Sequence, residues 1–114
     1  MRILIVEDEY LIGMDAADGL REAGCEIVDI APSVSKALKI LTTVGCDAAL
    51  IDANLDGTSA APVAAALRER DIPFVVMTGY VSEQRDGALA EAPFLSKPFT
   101  AASLTAAVLG LIQR

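Results

Sequence analysis

The feature that most limits what this chain can fold into is a set of short apolar runs, each too brief for a helix. Each is followed by a stretch with helical spacing. Ile3-Leu4-Ile5-Val6 is β-branched and bounded by charge, which reads as a strand buried on both faces. Ile27-Val28-Asp29-Ile30, Ala48-Ala49-Leu50-Ile51 and Phe74-Val75-Val76-Met77 have the same shape, and Pro93-Phe94-Leu95 is a shorter fifth run. Between them, Tyr10, Met14, Ala17 and Leu20 share one helical face, and that segment stops near Gly24. Ser33 is placed to cap a second helix through Val34, Ala37, Leu38 and Leu41, ending near Gly45. A third helix is expected from about Ser59 to Arg70, with Pro62 tolerable in its first turn. Thr100 is the candidate cap of the last, in which Leu104, Val108 and Leu111 form one stripe.

Strands alternating with helices imply right-handed crossovers and a parallel sheet covered on both faces. Five such units make an α/β, doubly wound (βα)5 domain with a flavodoxin-like strand order of 2-1-3-4-5. With 114 residues the chain is read as one domain over residues 1–114. No stretch approaches the roughly 18 apolar residues of a membrane span, and Met1-Arg2 leads into too short an apolar run for a signal peptide. A cytoplasmic location is the expectation. Sixteen acidic against nine basic side chains, net −7, disfavour a nucleic-acid partner. With no His in the chain, and Cys25 far from Cys46, zinc sites and His-dependent nucleophilic catalysis are excluded. Both cysteines read as free structural thiols.

In doubly wound folds the site lies beyond the carboxyl ends of the strands, so the residues just after each strand carry the functional argument. Glu7, Asp8 and Glu9 come after the first strand, Asp52 after the third, Thr78 after the fourth and Lys97 after the fifth. Clustered carboxylates are costly without compensation, and a magnesium ion is the natural compensation, being a hard cation that takes carboxylates and phosphate oxygens. Lys97 would add a point charge and Thr78 a hydroxyl donor for a phosphoryl group. Asp52-Ala53-Asn54-Leu55-Asp56-Gly57 also fits the first half of a calcium loop. The twelfth position of that loop would be Val63 instead of a bidentate Glu, and a strand precedes it where a helix is needed. Asp52 is therefore better placed as a nucleophile able to form an aspartyl phosphate, with Asp56 an ordinary turn residue.

These residues resemble the receiver domain of a two-component response regulator, and the resemblance runs along essentially the whole chain. It implies that Asp52 is the phosphoacceptor of a histidine kinase and that Thr78 and Lys97 assist the transfer. It further implies Mg2+ held by Asp8, Asp52 and the backbone carbonyl of Asn54, with Glu7 acting mainly through water. A cis peptide between Lys97 and Pro98 is implied, as is a switch formed by Thr78, Phe94 and Tyr80. Output would pass to a downstream protein through the face of the fourth helix, fifth strand and fifth helix. Thr78-Gly79-Tyr80 with Lys97-Pro98-Phe99 resembles single-domain "FATGUY" receivers associated with HWE-type kinases, although Val76-Met77 departs from the start of that motif. Tyr80 and Phe99 also have a plain reading as packing beside the site. Residues 80–92 are short for the family's fourth helix and poor in large apolar side chains, so a short or weak helix is expected there. Phosphorylation is then expected to order residues 82–91.

The expected function is a stand-alone phosphoacceptor that catalyses its own phosphorylation and dephosphorylation without being a turnover enzyme. A receiver module belonging to a longer regulator or hybrid kinase is the alternative. An aspartate-nucleophile phosphatase would need a second catalytic Asp two residues after Asp52, where this chain has Asn54. A receiver that only binds partners is disfavoured by the intact set Glu7, Asp8, Asp52, Thr78 and Lys97.

Overall fold

The structure is a computed structural model that describes residues 1–78, 93–96 and 99–111. In chain order it runs β1 (Arg2–Val6), α1 (Tyr10–Glu22), β2 (Glu26–Ala31), α2 (Val34–Thr43), β3 (Ala48–Asp52), β4 (Asn54–Leu55) and β5 (Thr58–Ser59). Beyond the hairpin strands come α3 (Ala61–Glu69), β6 (Phe74–Thr78), β7 (Phe94–Ser96) and α4 (Ala101–Gly110). Five strands form one parallel sheet of order β2-β1-β3-β6-β7, while β4 and β5 form a separate antiparallel hairpin. Leaving the hairpin aside, this is the expected 2-1-3-4-5 order of a flavodoxin-like sheet. The expected fourth helix, and the ordering of residues 82–91, lie outside the described residues.

Alternation along the central strands builds two cores. Leu4 and Val6 of β1 face a layer closed by α2 and α3, whereas Ile3 and Ile5 face a layer closed by α1 and α4. Every residue of β3 and β6 is buried, as strands covered on both faces require. β2 departs from the expectation of equal burial, because it sits at the sheet edge and exposes Glu26 and Asp29. Its pairing with β1 also slips between Ile3 and Leu4, leaving Val28 outside the ladder.

The helix ends obey their expected signals. Gly24 at φ 94° closes α1 through Cys25 N–H to Leu20 O at 2.9 Å and Gly24 N–H to Arg21 O at 3.0 Å. Gly45 closes α2 in a related way, and Ser33 Oγ accepts from Lys36 N–H at 3.2 Å at its start. Asp71, at φ 55°, performs the same left-handed closure for α3 without being a glycine. Thr100 and Ser103 form a reciprocal capping box on α4, whose Leu104, Val108 and Leu111 are buried as expected. Phe99 packs beside that stripe.

Two helical expectations need correction. Tyr10 is 68% exposed, and the buried face of α1 is Gly13, Ala16, Ala17, Gly19 and Leu20. Small residues let this helix lie close to the sheet, and they leave little trace in a search for large apolar side chains. The third helix starts at Ala61 because Thr58 and Ser59 are used by β5; Ser59 Oγ accepts from Ala61 N–H at 3.1 Å instead of capping from inside a longer helix.

Candidate functional site

Glu7 emerges directly from β1 and is 1% exposed; its N–H donates to Ala31 O at 2.9 Å, tying it to the end of β2. Its Oε2 accepts from Glu9 N–H at 3.2 Å, which turns the carboxylate back over the start of α1. Asp8 is partly exposed beside it. Asp52, 5% exposed, is the last residue of β3. One carboxylate oxygen from each of Glu7, Asp8 and Asp52 lies within 4.8 Å of the others. The structure thus brings together three of the acids that the strand-end argument selected, while Glu9 stays at the helix start as an exposed residue.

Three carboxylates at this separation repel one another. At an effective dielectric of about 20 the cost is on the order of 3 kcal/mol per pair, and less for pairs with Asp8, which water reaches. A hard divalent cation offsets that repulsion, and the donors present are all oxygen. The residues therefore fit magnesium.

A tight hairpin comes directly after Asp52. Asp56 at φ 51° and Gly57 at φ 86° are the two central residues of a turn of the mirror-image type favoured between β-strands, and Asp-Gly is among its preferred pairs. Asn54 Oδ1 accepts from Gly57 N–H at 2.7 Å, and Asn54 N–H donates to Asp52 Oδ1 at 3.1 Å. The Asn54 side chain thus braces the turn, and its main-chain carbonyl is the atom the resemblance assigns to the cation. Ala60 N–H donates to Ala53 O at 3.2 Å across the base of the hairpin. Sequence reasoning treats this element as a plain turn, although the Asp56-Gly57 pair is a signal for a hairpin. Val63, where a calcium loop would need a carboxylate, is fully buried in α3, so the geometry disposes of that reading.

Thr78 ends β6, one residue beyond the partner of Asp52 in the ladder, Met77. It is 2% exposed, and its Oγ1 has no hydrogen-bond partner among the described residues. A buried hydroxyl in that condition suits a ligand atom that arrives later. Phe94, on the adjoining edge strand β7, is 48% exposed. Lys97, Pro98 and Tyr80, with the Lys97-Pro98 cis peptide, lie outside the described residues. Among the described residues, no helix is long and apolar enough to cross a membrane.

Comparison with known proteins agrees with this geometry. The family described as "Response regulator receiver domain" matches residues 3–109. Transcriptional regulatory protein PdtaR of Mycobacterium tuberculosis is 38% identical over 122 residues, covering 99% of this chain and 57% of that protein. Two-component response regulator PhoP of Pseudomonas aeruginosa is 31% identical, with 100% and 52% covered. The chain spans about half the length of the curated relatives it matches. Among solved structures, SdrG from Sphingomonas melonis Fr1 superposes with a TM-score of 0.86 at 41% identity, covering 98% of this chain and 96% of that one. With the parallel sheet, the strand-end carboxylates and a family match over almost its whole length, the chain belongs to the response regulator receiver domains of two-component signalling.

Proposed function

We propose that Asp52 accepts a phosphoryl group from the phosphohistidine of a histidine kinase, and that the modified domain then changes its affinity for a partner protein. One arrangement carries this reading: a buried Asp52 at the end of β3, with its carboxylate within 4.8 Å of those of Glu7 and Asp8, beside a buried Thr78 hydroxyl that lacks a described partner. An oxygen of Asp52 forms the new O–P bond while the P–N bond of the donor breaks, and the bonding electron pair returns to the imidazole nitrogen. Asp8, Asp52 and the Asn54 carbonyl would hold Mg2+, with Glu7 acting through water. The bound cation supplies charge neutralisation for the carboxylates and the phosphoryl oxygens.

Thr78 then donates its hydroxyl to a phosphoryl oxygen, and Lys97 contributes positive charge. The exposed Phe94 supports a switch in which Thr78, Tyr80 and the aromatic ring rearrange together. Such a rearrangement would remodel the face formed by β7, α4 and the segment between β6 and β7. Asn54, committed to its hairpin, gives no second acid–base group, which favours single phosphorylation over turnover phosphatase chemistry.

We propose a stand-alone, cytoplasmic domain over residues 1–114; the stand-alone part of that reading is supported by the 96% coverage of SdrG. A module of a longer regulator is supported by the half-length match to the curated relatives. Thr78-Gly79-Tyr80 supports a donor of the HWE type, and phosphotransfer from HWE and other histidine kinases compared side by side would test that choice.

The deciding experiment is intact mass after incubation with acetyl phosphate and Mg2+, with Asp52→Asn as the comparison. One added phosphoryl group, dependent on Mg2+ and absent from the variant, is expected. A wild-type protein that gains no mass and shows no Mg2+-dependent response to beryllofluoride would overturn the proposal.

A further inference from the structure

Gly13 closes the first turn of α1, buried, where alanine would be the better helix former. The reason for glycine is spatial. A Cβ at this position would meet Ile30 Cγ2 at 2.7 Å and Glu7 Cβ at 3.8 Å. The first distance is far inside ordinary contact, and Cγ2 sits directly on Cβ, so it moves only if the stiff χ1 of a β-branched residue leaves its preferred rotamer. Where Ile30 keeps that rotamer, a side chain at 13 moves either the helix or the strand.

Both movements lead to the same carboxylate. Ile30 precedes Ala31, whose carbonyl accepts the N–H of Glu7 at 2.9 Å. On the other side, Gly13 N–H donates to Glu9 O at 3.1 Å, and Glu9 N–H donates to Glu7 Oε2 at 3.2 Å. Gly13, Glu9, Glu7, Ala31 and Ile30 thus form a closed ring of contacts, and Glu7 is the member of it that faces Asp8 and Asp52.

We propose that Gly13 is a positioning residue for the acidic cluster: the absent side chain lets α1 seat against Ile30, and that seating holds the Glu7 carboxylate in register with Asp8 and Asp52. The inference rests on the reading of the cluster as a divalent-cation site. Residues that orient a ligand set without touching the ion change its affinity on the order of tenfold or more when altered.

Mn2+ binding, monitored by the electron paramagnetic resonance signal of the free ion, provides the test, with far-UV circular dichroism to establish folding. Wild type is expected to bind Mn2+ and Asp8→Asn to lose most of that affinity. Gly13→Ala should weaken binding about tenfold. Gly13→Ala combined with Ile30→Leu, which removes the Cγ2 branch, should recover most of it. Gly110→Ala, where an added Cβ meets nothing within 4 Å, should leave it unchanged. A folded Gly13→Ala protein with wild-type affinity would overturn the inference. If the single variant does not fold, the double variant decides: wild-type affinity supports the ring of contacts, and lost affinity sinks it. Wild type that binds no Mn2+ would instead remove the cation site itself, and with it the basis of the proposal.

Discussion

The main-chain N–H of Asn54 donates to Oδ1 of Asp52 at 3.1 Å, so the carboxylate at the end of β3 is gripped by the first residue of the adjoining hairpin. The grip is local in sequence and needs no distant packing, because the Asp56-Gly57 turn brings β5 back onto β4 at once. Preorganisation of this kind keeps one oxygen oriented before any partner arrives.

Crowding of Glu7, Asp8 and Asp52 predicts a particular response to cations. At a Mg2+ concentration about a hundredfold above its dissociation constant, linkage contributes about 2.7 kcal/mol, equivalent to a rise of about ten degrees in Tm. Asp8→Asn is expected to melt above the wild type in chelator, because one repulsion is gone, and to respond little to Mg2+. Thermal melts with and without Mg2+ check both; a variant that still gained the full shift would remove Asp8 from the cation site.

The buried Thr78 hydroxyl predicts a conflict between stability and switching. Thr78→Val replaces a polar group lacking a described partner with a methyl of similar shape, which should stabilise the unmodified domain by about 1 kcal/mol. The same change should weaken the response to beryllofluoride. Urea denaturation and a beryllofluoride titration read the two effects separately, and a destabilised Val variant would show that the hydroxyl is already satisfied.

Asp71 holds a backbone conformation that glycine adopts at no steric cost. It is exposed and closes α3 through Ile72 N–H to Leu67 O at 2.9 Å. Asp71→Gly is expected to stabilise the domain by about 0.5–1 kcal/mol, without altering phosphorylation at the opposite end of the sheet. Denaturant midpoints would show the gain, and a loss would mean that the Asp side chain contributes more than its strain costs.

Burial pushes the Cys46 thiol above its ordinary value, opposed in part by the charge of Arg2. The folded state therefore retains this proton more tightly than the unfolded chain does. This contribution to stability is fully present below the unfolded thiol's value near 8.5 and is lost as pH rises toward the folded one. Cys46→Ala should flatten the alkaline decline in stability, and Cys46 should alkylate more slowly than a free thiol at pH 8. Equal alkylation rates would contradict the burial effect.

The legible parts of the molecule are those where one physical requirement dominates. β1, β3 and β6 are buried on both faces and so stand out as unbroken apolar runs, and in a doubly wound sheet the residues just after them must share one rim. That is why Glu7, Asp8, Asp52 and Thr78 can be grouped from sequence. β2 is less readable because its burial depends on being an edge, a property of topology that Ile27-Val28-Asp29-Ile30 does not carry. The buried face of α1 is hidden because Gly13 and Ala16 contribute by being small, whereas a periodic pattern is sought among large residues. The hairpin escapes detection because two-residue strands leave no alternation to find, and only the Asp56-Gly57 turn marks them.

The exposed margin at β2 has a bearing on how copies of the domain can meet. An unpaired strand invites a neighbour to extend the sheet, yet here the ladder is interrupted at Val28, and Asp29 Oδ1 accepts the N–H of Ile30 at 2.8 Å. An approaching strand would find that donor already occupied and would have to strip water from Glu26 and Asp29. This margin therefore resists fibre-like growth.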